Sequence, residues 1–165
     1  MNYTIYSSPL GDIALAGTDN GLCQVDFQNS KRPLKIADSW VQNDAPFKTA
    51  CKILDNYFAG KKPDFNKLCY DLQGTAFQKA VWEFLLTISC GTTLTYKQVA
   101  EGIGRPAAVR AVGTAIGRNP VSLFIPCHRV IGSNGALTGY AGGLELKAKL
   151  LEIELEGTNT VSVPT

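Results

Sequence analysis

The sequence predicts an α+β protein: a small antiparallel sheet with a helix, followed by a mostly helical second half. Three observations carry this. Short runs alternating apolar with polar residues, separated by turn-forming residues, fill the first thirty positions. From about residue 46 the apolar spacing changes to three and four. Two capping signatures, Thr75-Ala-Phe-Gln78 and Thr95-Tyr-Lys-Gln98, then mark helix starts.

Tyr3 to Tyr6, Ile13 to Ala16 and Leu22 to Phe27 read as strands of a meander, with turns at Ser8-Pro-Leu-Gly11 and Thr18-Asp-Asn-Gly21. Residues 29–44 are polar and irregular, with Trp40 expected to pack. Phe47, Ala50, Cys51, Leu54, Tyr57 and Phe58 share one face of a helix that Gly60 ends. Phe65 to Leu72 reads as one more strand. No polar side chains converge in this first part, so chemistry is not expected there.

A change of composition at Gln73-Gly74 marks a boundary between residues 1–73 and 74–156, with 157–165 as a polar, mobile tail. The helix opened by Thr75 buries Phe77, Val81, Trp82, Leu85 and Ile88 and is expected to run to Cys90-Gly91. The one opened by Thr95 is expected to stop at Gly102-Ile-Gly104. Pro106, suited to a first helical position, is expected to start the next, ending near Gly117. Two short helices joined by a Gly-containing turn form a helix-turn-helix. On the second of them Val109, Val112 and Ile116 make the core face, while Arg110, Gly113, Thr114 and Gly117 gather elsewhere. Each glycine costs a helix about 1 kcal/mol relative to alanine. Two on one face mean that something comes close to the backbone, either a neighbouring helix or an external partner, and Arg110 among them favours the partner. The last helix is expected from Leu144 to about Glu154, packing Leu146, Leu150 and Ile153.

With 165 residues, 45% of them hydrophobic, the chain can bury one core, or a small domain leaning on a second. It has no apolar run long enough for a membrane span and no signal-peptide pattern. Five cysteines at 23, 51, 69, 90 and 127 form no close pair, which points to free thiols in a reducing compartment, hence the cytoplasm. Because the chain has a single histidine, a Cys/His zinc site would have to consume His128, so no metal is expected. Net charge is only +2, but between Lys97 and Arg129 five basic residues face one acid, Glu101, a modest footprint for a polyanion.

The lone histidine follows a cysteine directly in Phe124-Ile-Pro-Cys-His-Arg-Val130. A thiol reacts as the thiolate, and a free cysteine titrates at about 8.5, so chemistry here requires surroundings that lower that value. An imidazole in reach, directly or through a water, is the usual device. Cysteines in apolar stretches are otherwise mostly inert core residues. A glycine-dense loop follows, with five glycines in the twelve residues from Gly132 to Gly143, suited to closing backbone over a flat ligand.

Six segments occur in the order found in one protein family: Gly74-Thr-Ala-Phe-Gln-Lys-Ala-Val-Trp82, Gly91-Thr-Thr-Leu-Thr-Tyr96, Arg110-Ala-Val-Gly113, Arg118-Asn-Pro120, Ile125-Pro-Cys-His-Arg-Val130 and Gly139-Tyr-Ala-Gly-Gly143. Over about residues 72–154 the chain resembles the methylated-DNA–protein-cysteine methyltransferases, the O6-alkylguanine-DNA alkyltransferases. The first part matches only in kind, as the small RNase H-like domain such proteins carry. The resemblance implies a self-inactivating transferase that acts as a monomer on double-stranded DNA containing alkylated guanine, and on O4-alkylthymine, with no cofactor and no metal.

It further implies that Cys127 is the nucleophile, that His128 takes its proton through a water, and that Glu154 orients the imidazole in a relay with the logic of a serine triad. Tyr96 would protonate the departing guanine and contact DNA. Arg110 would fill the gap left by a flipped base, with Ala111, Gly113 and Thr114 against the minor groove. Asn119 would hold the active-site turn. Pro126, Val130, Tyr140 and Ala141 would line the base pocket, the small Ala141 hinting at room for groups larger than methyl. Relatives that bind zinc use ligands absent here. Relatives that only bind lesions have lost the cysteine, which this chain keeps. A cysteine hydrolase, a plain helix-turn-helix DNA-binding module and a lesion sensor are the competing readings. The hydrolase lacks an evident oxyanion hole, and the Gly-Thr helix face offers the plain module little with which to read bases.

Overall fold

The computed structural model describes residues 1–30, 33–135 and 143–162, the last six by backbone only. Strands β1 (Asn2–Ser8), β2 (Gly11–Thr18) and β3 (Gly21–Phe27) form the expected antiparallel meander. The second turn depends on Gly21, whose φ is 142° and where a side chain would lie 2.4 Å from the Cys69 carbonyl oxygen. That closeness lets residues 69–71 dock beside β3: Leu22 N–H donates to the Cys69 carbonyl at 3.0 Å, and Asp71 N–H to the Leu22 carbonyl at 2.8 Å.

Two features of the first half differ from expectation. A fourth strand, β4 (Val41–Gln42), pairs parallel to β1 to give the sheet order β3-β2-β1-β4. Both its residues are exposed, so no alternating pattern announced it. Residues 65–72 make no extended strand. Phe65–Lys67 is a 3₁₀ turn, and only the Leu22–Tyr70 bridge follows. The turn drives Phe65 inward, edge-on to Phe124 with ring centroids 5.5 Å apart. Helix α1 (Lys48–Phe58) lays Ala50, Ile53, Leu54 and Tyr57 on the core as its spacing predicts.

Both capping boxes form as expected. Thr75 opens α2 (Ala76–Leu85) and Thr95 opens α3 (Tyr96–Gly102), each accepting from the amide three residues on while the glutamine side chain accepts from the threonine's own N–H. α2 ends at Leu85 rather than Cys90. There the Thr87 hydroxyl and N–H both turn back on the Phe84 carbonyl, at 2.6 and 2.9 Å, and Ile88 N–H closes on Leu85 at 3.1 Å. That tighter turn buries Ile88 while freeing its carbonyl for another partner. α4 (Val109–Gly117) starts three residues after Pro106, because residues 105–108 form a turn in which Ala108 N–H donates to the Arg105 carbonyl at 2.9 Å.

Trp82, buried on α2, fixes α4 by donating its indole N–H to the Ala115 carbonyl at 2.8 Å. The core face of α4 is Val112, Ala115 and Ile116, with Val109 only half-buried. Strand β5 (Leu94–Thr95) pairs parallel with β6 (Val130–Ile131), joining the start of α3 to the end of the Pro-Cys-His-Arg motif. Helix α5 runs from Leu144 through Ser162, eight residues beyond the expected end near Glu154. Once its first turns are anchored in the core, propagation needs only one hydrogen bond per added residue. Among the described residues no helix is long and apolar enough to cross a membrane.

The two caps give the fold its simplest test. Thr75→Ala and Thr95→Ala each lower unfolding free energy by about 1 kcal/mol in urea titrations, with unchanged m-values.

Candidate active site

The motif sits on a backbone that ordinary turns do not provide. Asn119 begins it: its side-chain oxygen accepts from Val121 N–H at 3.0 Å and its amide donates to the Ile125 carbonyl at 2.8 Å. Inside this brace and just past it lie two hydrogen bonds that span only two residues, Phe124 N–H to Ser122 at 2.9 Å and Cys127 N–H to Ile125 at 2.7 Å. Leu123, at the centre of the first, has φ 73°, the only non-glycine residue with positive φ among those described. Pro126, at the centre of the second, has φ −80° and ψ 65°, the geometry of an inverse γ-turn. A leucine held at such a φ is strained, and strain persists only where the surroundings over-determine it. Here the surroundings are complete burial of Leu123, Phe124 and Ile125, and the sheet itself. Val25 of β3 accepts from Ser122 N–H at 3.0 Å and donates to the Pro120 carbonyl at 2.9 Å.

Beyond the turn, Cys127–Arg129 is one 3₁₀ turn whose three side chains are all buried. His128 Nε2 donates to Glu154 Oε2. The same carboxylate accepts from Arg129 Nε at 2.6 Å on Oε1 and from the Tyr57 hydroxyl at 2.6 Å on Oε2, with Gly91 N–H at 3.5 Å. Arg129 also donates to the freed Ile88 carbonyl at 2.6 Å and stacks over Phe65. Burial by itself would raise the Glu154 carboxyl. Its pairing with His128 and the Arg129 charge, with the hydrogen bond from Tyr57, hold it well below the usual carboxylate range. An ionised carboxylate only accepts, so Nε2 carries the hydrogen of the His128 pair. His128 Nδ1, buried, has no hydrogen-bond partner among the described residues. In the neutral ring that nitrogen is a base in waiting.

The Cys127 thiol departs from the sequence expectation. It is pushed up to about 11, chiefly by burial, with the Asp26 carboxylate opposing ionisation further. The Asn119 side chain and the Lys147 charge lower it only in part. In the resting protein it is therefore a neutral thiol, because a 7% exposed pocket strips the thiolate of water faster than its neighbours replace it.

Arg110, Ala111 and Thr114 are exposed on α4, and Gly113 is partly so. The sequence weighs a neighbouring helix against an external partner for these glycines, with Arg110 favouring the partner, and the space around them bears on that choice. A side chain at Gly117 would meet nothing within 4 Å, and one at Gly113 only the Tyr96 ring, at 3.8 Å. Internal packing does not require them, so they leave a bare outward face. The Thr114 hydroxyl turns back to the Arg110 carbonyl at 3.1 Å. Tyr96 opens α3 beside this face, and the β5–β6 pairing ties its backbone to the residues after Cys127.

Of the expected pocket residues, Pro126 and Val130 are buried beside Cys127. Tyr140 and Ala141 lie outside the described residues. The structure thus brings Asn119, Cys127, His128 and Glu154 around one turn, and sets Arg110 and Tyr96 on the adjoining helices. Three residues went unassigned in the sequence: Arg129, Tyr57 and Lys147, whose buried ammonium donates to the Val130 carbonyl at 2.6 Å. A signal existed for Lys147. With Leu150 and Glu154 it falls at i, i+3 and i+7, placing two charges on an apolar stripe.

Residues 1–72 match the ribonuclease-like domain of 6-O-methylguanine DNA methyltransferase, and residues 76–156 match its DNA binding domain. The methylated-DNA–protein-cysteine methyltransferase of Methanosarcina acetivorans is 49% identical over 155 residues, covering 93% of this chain and 98% of that protein. The one of Mycobacterium tuberculosis is 42% identical over 155 residues, covering 93% of this chain and 92% of its own length. The crystal structure of Mycobacterium tuberculosis OGT in complex with DNA superposes with a TM-score of 0.86 at 41% identity, over 95% of this chain and 94% of that one. Through both halves, this chain belongs to the 6-O-methylguanine DNA methyltransferase family.

Proposed function

We propose that this protein reverses alkylation damage in double-stranded DNA, moving the alkyl group of O6-alkylguanine, and of O4-alkylthymine, to Cys127 in a single turnover. The observation that carries this reading is the convergence at one strained turn of a thiol and an imidazole whose Nε2 hydrogen is committed to an ionised carboxylate. Such a site holds a nucleophile, a base and the group that orients the base.

In the proposed reaction α4 enters the minor groove, its bare Gly113 and Gly117 face allowing close approach. The damaged base leaves the stack, and Arg110 occupies the space it vacates. Cys127 gives its proton through a water to His128 Nδ1, and the sulfur attacks the alkyl carbon. The S–C bond forms as the bond from that carbon to guanine O6 breaks. The departing guanine takes a proton from the Tyr96 phenol, which is restored from solvent, while the imidazolium returns the thiol proton to solvent. Asn119 and the Lys147 ammonium stabilise the thiolate as it forms. The thioether has no route back to the thiol, so each molecule reacts once. The first half of the chain, residues 1–73, supports the turn; residues 74–156 bind DNA and react. With five free cysteines and this substrate, the protein is assigned to the cytoplasm and acts as a monomer without cofactor or metal.

Three outcomes follow from this reading. Intact mass and peptide mapping after mixing with an O6-methylguanine duplex will show one methyl, on Cys127, saturating at one per protein. Cys127→Ser will gain none, and duplex binding without mass change would make the protein a lesion sensor instead. Arg110→Ala will slow transfer from the duplex by about 100-fold, the order of a lost base-flipping contribution of a few kcal/mol. Its reaction with free O6-benzylguanine will match wild type, since no stack has to be opened. Finally, carbamidomethylation of Cys127 by iodoacetamide will be slow at pH 7 and rise about tenfold per pH unit toward 11, because a raised thiol value leaves the thiolate scarce below it.

A further inference from the structure

Tyr57 lies on α1, in the half of the chain where the sequence shows no chemistry, 97 residues from Glu154. Its ring is fixed from two sides, edge-on to Phe58 at 5.2 Å and tilted against Phe65 at 6.0 Å, and only 1% of it is exposed. The hydroxyl is thereby aimed at Glu154 Oε2, at 2.6 Å, with the Leu150 carbonyl a distant second at 3.4 Å. Oε2 is the oxygen that His128 also uses. Burial and the neighbouring carboxylate both push the phenol well above its ordinary range, so it stays a donor at any working pH.

A buried carboxylate with only an imidazole for company concentrates its charge on that ring. The more charge Oε2 keeps, the more firmly it holds a proton on the imidazole, and an imidazolium cannot accept another. A second donor on the same oxygen draws off part of that charge and fixes its direction. The other groups facing this carboxylate are His128 and Arg129 from the 127–129 turn and the Cys90 thiol after α2, with Lys62 close to Cys90. Of these, His128 shares Oε2 with Tyr57, while Arg129 binds Oε1.

We propose that Tyr57 is a positioning residue for alkyl transfer: its hydroxyl moderates and orients Glu154 on the oxygen that holds His128, so that the imidazole presents Nδ1 to the Cys127 proton. This rests on the function proposed above, and wild-type methylation of Cys127 is the control on which that function stands or falls.

The test is Tyr57→Phe, which keeps the ring and removes one oxygen. Single-turnover transfer from an O6-methylguanine duplex is measured from pH 5.5 to 9, with duplex affinity and Tm alongside. The expected result is a rate roughly tenfold lower at pH 6, recovering toward wild type at pH 8.5, with the acid limb displaced upward by about one unit and duplex affinity unchanged. In a Glu154→Gln background the same change should leave the shape of the profile as it was, since there is no charge left to moderate. A Tyr57→Phe rate that is unaltered, or lowered equally at every pH, overturns the proposal, the second outcome because it is what lost packing alone would do. So does the same displacement appearing in the Glu154→Gln background.

Discussion

A single negative charge, sealed in the interior on Glu154, sets the terms for the rest of the molecule. A buried carboxylate without partners would neutralise itself by taking a proton. It stays ionised because donors reach it from three separate stretches of chain: Tyr57 on α1, Gly91 after α2, and His128 and Arg129 on the motif, while a fourth, α5, carries the acid itself. Each of these segments must be in place for the charge to be tolerated, and removing one partner leaves a cost of about 3–5 kcal/mol where a charge pair is broken. The carboxylate thus couples the two halves of the chain more tightly than apolar contact alone would.

The first half does further work through its backbone. Val25 at the end of the meander clasps residues 120–122 with two hydrogen bonds, just ahead of the strained Leu123. A turn containing a left-handed leucine would relax if released. The sheet and the Asn119 brace hold it from opposite sides, and the short β5–β6 ladder secures its exit. Cys127 is placed by those three constraints, none of which comes from its own helix or strand.

What could be read from the sequence follows from the range of each interaction. The meander, α1, both capping boxes and the helix-turn-helix rest on residues within a few positions of one another, and their patterns were plain. β4 was not, because two exposed residues carry no alternation. The early end of α2 was missed because the Thr87 back-bond competes with an apolar stripe that continues past it. At the site, Cys127, His128 and Asn119 were legible from the family motifs, and Glu154 from the resemblance of the last helix. Tyr57 was hidden by its own suitability for the core: an aromatic on an apolar face gives no sign that its hydroxyl has a task. The thiol's electrostatics were misjudged for a related reason. Sequence shows which charges are near, but not how much water is gone, and at Cys127 desolvation outweighs every neighbour.

That desolvation also bears on how long the protein keeps. Under the single-turnover reaction proposed above, a nucleophile that can be spent once is wasted by any stray oxidant or electrophile that meets it as a thiolate. Cys127 rests protonated and nearly out of contact with solvent, while Cys69 lies exposed on the surface. The resting thiol is shielded by the same burial that makes the thiolate costly, and in the proposed reaction reactivity returns when the damaged duplex engages His128 and Glu154. Shelf life and chemical competence are separated in time rather than traded against each other.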